Sequence, residues 1–247
     1  MQLDLSLTMD SGQTPTFTWK KQGENHYVSL DGKHYLKQLS GLEYSEGFDV
    51  AAFFKLKDDL KKIHSKIIED DDILSQAINQ FNGLRLTKSN EWETLCCFLI
   101  SQNNNIKRIQ GIVSKLYSDS SFLTPEQLLR TNLTPLKLGY REKYLVETAR
   151  LIVENGFNLE KIKRKNAEDA REQLCELPGV GRKVADCVLL YGFGRNDVFP
   201  ADVWVNKAML EWYGVPEKQV QEFASEKWGK HAGYAQQLLF CKARKEL

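Results

Sequence analysis

The 247-residue chain reads as an α+β protein, mainly α, with an N-terminal antiparallel β-sheet domain followed by helical domains. Three observations predict this. Period-two alternation of apolar and polar residues is confined to the first stretch of the chain, up to about residue 45. From Phe53 onwards the apolar residues recur at spacings of three and four. Finally, Leu177-Pro178-Gly179-Val180-Gly181 interrupts two helical patterns without a long loop, which predicts a helix, a tight hairpin and a second helix at about 167–192. We place the sheet and its flanking helices at 1–80 and the helical region at 81–247.

Taken in order, residues 2–8 and Thr16 to Lys20 alternate and predict half-buried strands, with Asp10-Ser11-Gly12-Gln13 as the turn between them. Tyr27 to Leu30 and His34 to Leu36 flank Asp31-Gly32, a hairpin signal with room for a slightly longer loop. Leu56, Leu60, Ile63 and Ile67 mark one helical face, and Ile73, Ala77, Ile78 and Phe81 a second, opened by Asp70-Asp71-Asp72 at its N-terminus. Asn90 with Glu93 predicts a capped helix through Trp92, Leu95, Phe98 and Leu99, ending at Ser101 to Asn105. The next helix should turn Ile106, Ile109, Val113 and Leu116 inward. Thr124-Pro125 and Thr134-Pro135 each set a capping hydroxyl before a proline at the first helical position. A helix over 141–155 stops at Gly156, Asn166 caps another running to Glu176, and helices follow Asp202 at about 203–213, 217–228 and 231–245.

Composition narrows the function classes. A 42% apolar content suffices for a core, no apolar run is long enough to span a bilayer, and Met1-Gln2-Leu3-Asp4 lacks the order of a signal peptide. A soluble intracellular protein with no membrane partner is expected. The five cysteines have no C-x-x-C spacing, so free thiols are expected and neither a zinc knuckle nor an iron–sulfur loop can be drawn; no metal and no cofactor is expected. Net charge is only +1, but residues 1–80 carry −4 and the remainder +5. A polyanion would therefore sit on the second part, although charge of this size is equally an ordinary solvated surface.

The hairpin carries the first chemistry. Gly179, Val180 and Gly181 precede a helix N-terminus, where unobstructed backbone N–H groups suit a phosphate. Lys183 lies in the first turn of that helix, whose partial positive charge disfavours a protonated amine, and so can serve as a nucleophile. Three polar clusters add to it. Asn103-Asn104-Asn105 with Arg108 could be a capped loop, or amides and a guanidinium suited to base edges. Gly139-Tyr140-Arg141 presents an aromatic and an arginine, expected to be exposed, at a helix start. Gln236 and Phe240 share one face of a late helix, a pattern that more often marks a half-buried surface.

In this order and spacing, these features resemble the 8-oxoguanine DNA glycosylase/AP lyase family of the helix–hairpin–helix superfamily, from Leu3-Asp4-Leu5 through Ser11-Gly12-Gln13 to Trp228-Gly229 and Leu239-Phe240. The resemblance implies a base-excision repair enzyme acting as a monomer on double-stranded DNA that contains oxidised guanine opposite cytosine. It implies that Lys183 is the nucleophile and Asp202 the catalytic carboxylate. It further implies that Asn103 fills the vacated base position, Tyr140 wedges the bent step, and Arg108 with Arg141 reads the opposite cytosine. Gly12, Cys187, Gln236 and Phe240 would form the base pocket. Two positions depart from the family pattern: the link Thr14 to Trp19 after Gln13 is longer and lacks an Arg, and Trp204 stands where some members carry a His. Asp202 could also be a plain N-cap, and Asp186 is a rival carboxylate on the lysine's own helix. Two other functions fit parts of the pattern: a monofunctional alkylated-purine glycosylase, which needs Asp202 but not Lys183, and a non-catalytic DNA-binding hairpin module.

Overall fold

The computed structural model describes residues 2–119 and 121–247. The chain opens with two short helices, α1 (Leu5–Met9) and α2 (Pro15–Thr18), where strands are predicted. The reason is local. The Asp4 side chain accepts the Leu7 N–H as an N-cap, and Leu5 and Met9, four apart, are both buried, so the helical spacing hidden in the alternation wins. Pro15 at the first helical position starts α2 in the same way, and only from Trp19 does the chain become extended.

Strands β1 (Trp19–Gly23), β2 (His26–Ser29), β3 (Tyr35–Gln38) and β4 (Leu42–Tyr44) form an antiparallel meander in sequence order. Tyr27 faces Leu36 across the central pair, and both side chains are buried. The loop between β2 and β3 is longer than a two-residue turn, as its flanking residues allow. Gly32 in it has φ +74.

Beyond the sheet, α3 (Val50–Phe53), α4 (Leu60–Ile67) and α5 (Asp72–Gln80) each begin at an aspartate whose carboxylate accepts a backbone N–H: Asp49, Asp59 and Asp71. Leu56 therefore precedes the helix it is predicted to join, and in α5 the fully buried residues are Leu74 and Ala77 rather than Ile73 and Ile78. Helices α6 (Glu91–Ser101) and α7 (Ile106–Val113) follow, capped by Asn90 and Asn105, then the small pair β5 (Tyr117–Ser118) and β6 (Ser121–Phe122). Ile106 is 41% exposed, against the inward expectation, because it is the first residue of α7 and the buried face begins at Ile109. Thr124 and Gln127 form a reciprocal capping box at α8 (Pro125–Arg130). Thr134-Pro135 instead makes a single 3-10 turn with no side-chain cap, since Lys137 turns left-handed at φ +51 and stops it.

The remaining helices are α9 (Tyr140–Val153), α10 (Leu159–Ile162), α11 (Ala167–Cys175), α12 (Arg182–Tyr191), α13 (Val203–Tyr213), α14 (Val220–Trp228) and α15 (Ala232–Glu246). A small core joins Leu3, Leu5 and Met9 to Trp19, Tyr27, Leu36, Phe53 and Phe54 under the sheet. A larger one runs from α4 and α5 through every later layer. Its centre is the pair α6 and α12. Trp92 and Thr94 to Ile100 are buried on the first, and Val184 to Tyr191 on the second, so both helices are enclosed on all sides. Phe98 and Tyr191 stack between them with ring centroids 5.8 Å apart. This contact sets the back wall of the cavity described next.

Candidate active site

A cavity of about 280 Å³ opens beside the α6–α12 pair, lined by residues from both ends of the chain. Lys183, Cys187 and Tyr191 enter from one face of α12, at spacings of four, and Phe98 and Ser101 from α6. Asp202 and Trp204 come from the start of α13, Gln236, Phe240 and Arg244 from α15, and Gly12 from the loop before α2. Six residues named from the sequence as nucleophile, carboxylate and base pocket thus share one space.

Lys183 is half-buried, with Nζ 5.3 Å from the Phe98 ring centroid. Burial pushes the Cys187 thiol up to about 11, against the opposing pull of the neighbouring Lys183 amine, so at neutral pH it is an uncharged wall. Asp202 does cap its helix: Oδ1 accepts the N–H groups of Trp204 and Val205 at 3.0 and 2.9 Å. Capping and lining are compatible, because the carboxylate also borders the cavity. Asp186 lies outside it. That carboxylate is fully buried, with Oδ1 2.6 Å from Nε of Arg171, and burial raises its pKa to about 6.

Gly12 is required twice over. Its φ is +80, and a Cβ there would lie 2.9 Å from Cε1 of Phe240. Two glutamines not singled out in the sequence hold this loop. Gln13 is fully buried; its Nε2 donates to Ser11 Oγ and to the Arg85 carbonyl, both at 2.9 Å, and its Oε1 accepts from the Thr87 N–H at 2.8 Å. Gln237 donates to the Ser11 carbonyl at 2.8 Å and accepts from Tyr191 Oη at 2.6 Å. Gln236 is 4% exposed and walls the cavity, while Phe240 on the same face of α15 is half-buried and lines it too.

The hairpin between α11 and α12 is held from below. Gly179 has φ +75 and sits under the Tyr144 ring, where a Cβ would come within 2.3 Å of a ring carbon. Val180 is buried, while Gly181 is exposed and extended as the N-cap position of α12. The Gly179 carbonyl accepts from Gln102 Nε2 at 3.0 Å. Gln102, also missed from sequence, is the node of this face. Its own carbonyl accepts from Arg141 Nε at 2.7 Å and from Tyr140 Oη at 3.3 Å.

Arg141 is therefore 5% exposed, contrary to the expectation of an exposed side chain. Its guanidinium binds the carbonyls of Gln102, Asn103 and Leu138, and it stacks 4.5 Å from the Tyr140 centroid. Backbone carbonyls at the end of α6 outcompete water for it. Tyr140 stays 46% exposed beside Asn103, whose Nδ2 donates to Tyr140 Oη at 3.3 Å. Arg108 is exposed and donates to the Lys137 carbonyl at 2.8 Å. The three asparagines have separate duties: Asn103 takes φ +47, Asn104 donates to the Ile100 carbonyl, and Asn105 caps α7.

Among the described residues, no group of three or more His, Cys, Asp or Glu side chains could hold a metal ion, and no helix is long and apolar enough to cross a membrane. All five cysteines are free thiols, as their spacing predicts.

Residues 96–230 match the model of the HhH-GPD superfamily of base excision DNA repair proteins, and residues 1–95 that of the 8-oxoguanine DNA glycosylase N-terminal domain. A protein of Methanothermobacter thermautotrophicus named probable N-glycosylase/DNA lyase is 37% identical over 57% of this chain and 43% of its own length. The Saccharomyces cerevisiae N-glycosylase/DNA lyase is 30% identical over 77% of this chain and 64% of its own. The chain thus spans less than two thirds of the length of these two relatives. The Clostridium acetobutylicum 8-oxoguanine glycosylase/lyase, solved with duplex DNA containing cytosine opposite 8-oxoguanine, superposes with a TM-score of 0.86 at 29% identity, over 98% of this chain and 92% of that one.

Proposed function

The chain belongs to the HhH-GPD superfamily of base excision DNA repair proteins, and on that premise we propose that it excises 8-oxoguanine from duplex DNA, opposite cytosine, and then cleaves the strand as a β-elimination lyase. The observation that carries this reading is the meeting of Lys183, Asp202, Cys187, Gln236, Phe240 and Gly12 around one cavity of about 280 Å³, space for a single extruded base.

A base within the stack is out of reach, so the nucleotide must be flipped, at a cost of a few kcal/mol. The exposed Tyr140–Asn103 pair stands ready to wedge and fill the gap, with Arg108 beside it. Of the hairpin N–H groups, Val180's already donates to the Leu177 carbonyl at 3.0 Å, which leaves those of Gly179 and Gly181 to take a phosphate. Arg141 contributes here by fixing Tyr140 from beneath; reading the opposite cytosine would require it to release backbone carbonyls. Inside, the base lies between Cys187 and Phe240, with the Gln236 amide at its edge and the Gly12 carbonyl available to the extra N–H of the oxidised purine.

As the N-glycosidic bond lengthens, positive charge grows on the sugar and the Asp202 carboxylate stabilises it. The free amine of Lys183 bonds to C1′ as the base departs with the glycosidic electron pair and is protonated. Ring opening gives a Schiff base, loss of a C2′ proton follows, and the C3′–O bond breaks, releasing the 3′ phosphate. Lys183→Gln should abolish borohydride trapping of the enzyme–DNA adduct while retaining duplex binding; an adduct in that variant would place the nucleophile elsewhere. Base release without any trapped adduct in the unaltered protein would instead assign it to the monofunctional glycosylases.

A further inference from the structure

Gln236, Phe240 and Arg244 stand four residues apart on α15 and form one column along a single helix face. Gln236 is buried, Phe240 half-buried and Arg244 exposed, and all three line the cavity, so the column runs from its floor to its mouth. The Arg244 guanidinium lies 5.6 Å from the Phe240 ring centroid. Ile106, 41% exposed, and Trp204, 37% exposed, line the same cavity, as do the half-buried Ser101, Asn104, Lys183 and Asp202.

An exposed arginine in the last turn of a helix can be explained by the helix dipole alone. Two features separate Arg244 from that case. Lys242 Nζ is 2.7 Å from Glu246 and Lys207 Nζ is 3.2 Å from the Leu247 carbonyl, while exposed Lys245, which has no ion-pair partner among the described residues, does not line the cavity. Arg244 makes no ion pair with any described carboxylate and is turned back over Phe240 to the cavity mouth. A guanidinium left without an anion at the entrance of a base-sized cavity matches a phosphodiester in charge and in its planar donor fork.

We infer that Arg244 is a positioning residue for the flipped nucleotide: its guanidinium binds the backbone phosphate flanking that nucleotide while its stem and plane hold the Phe240 ring in place. This rests on the proposed DNA glycosylase activity. A duplex carrying a tetrahydrofuran abasic analogue tests it, because that ligand keeps the phosphate and has no base for Phe240 to meet.

Arg244→Ala in the full chain is expected to weaken binding to this duplex about tenfold at low salt. It should also reduce the steepness of log K against log salt by about 0.9, the value of one phosphate contact. Arg244→Lys should restore the slope and part of the affinity, and Phe240→Leu should leave the slope unchanged. An unchanged slope in Arg244→Ala overturns the assignment. If base release alone slows, Arg244 serves only the Phe240 wall; if nothing changes, it is a dipole counter-charge. The readout stays separate from the functional reading: a wild-type chain that binds the abasic duplex yet releases no 8-oxoguanine defeats that reading, while the slope still reports on Arg244.

Discussion

At the scale of single residues, Asp202 shows how one side chain meets two demands. Its Oδ1 closes two otherwise unpaired N–H groups at the start of α13, and the same carboxylate borders the cavity. The demands separate by substitution. Asn keeps a capping oxygen but no charge, so Asp202→Asn should hold unfolding free energy within about 0.5 kcal/mol of wild type while base release falls by orders of magnitude. Asp202→Ala should lose about 1 kcal/mol in addition. Denaturant unfolding and single-turnover excision, measured side by side, check both; full activity in the Asn variant would remove Asp202 from the chemistry. The capping role was legible from Pro200-Ala201-Asp202 before a helical pattern. The fates of Arg141 and Gln102 were not, because a guanidinium's exposure depends on which carbonyls the fold brings to it.

Among elements, the α11–α12 hairpin depends on a buried pair behind it. Arg171 from α11 meets Asp186 on α12, one turn beyond Lys183, and Asp186 Oδ2 has no partner. Burial, opposed by Arg171, raises the Asp186 pKa from 3.8 to about 6. The folded value lies above the unfolded one, so the proton favours the folded state. That contribution is complete below about pH 4 and is lost as pH rises through 6. Relative to Asp186→Asn, which cannot titrate there, the wild-type unfolding free energy should fall by about 1 kcal/mol between pH 5 and pH 7. Parallel curves for the two proteins would show that Asp186 keeps an ordinary value. Helix positions and caps at this scale were largely readable, since Asn90, Thr124 and Asn166 announce α6, α8 and α11 through local hydrogen bonds, while the Asn105 cap of α7 emerged only with the structure. Residues 2–8 misled because five residues satisfy a strand and a helix pattern alike, and the Asp4 cap decides.

For the whole molecule, the N-terminal segments and the cavity are tied by buried polar contacts as well as by apolar packing. Arg85 is 4% exposed and donates to the carbonyls of Phe54, Gln2, Lys55 and Asp58 at 2.7 to 3.2 Å. Its own carbonyl accepts from Gln13, the residue after Gly12. Removing the guanidinium would strand the buried Phe54 carbonyl and take the donor from three part-buried ones, so Arg85→Ala should cost about 3 kcal/mol and lower the urea midpoint with an unchanged slope. A loss under 1 kcal/mol would show that water reaches these carbonyls.

The sequence by itself determined the helix-rich class, the presence of an N-terminal antiparallel sheet with its β2–β3 hairpin, the hairpin at Pro178 to Gly181, most helix starts and the identity of six of the residues that line the cavity. Those features rest on contacts between near neighbours along the chain or on the pattern of a whole family. Only the tertiary structure decided that Arg141 points inward, that Gln13, Gln102 and Gln237 hold the loops of the site, and that Arg244 stands at its mouth. Each of these depends on partners dozens to more than two hundred residues away. A side chain's own type and neighbours say what it can bind; the packing of distant segments selects which partner it meets.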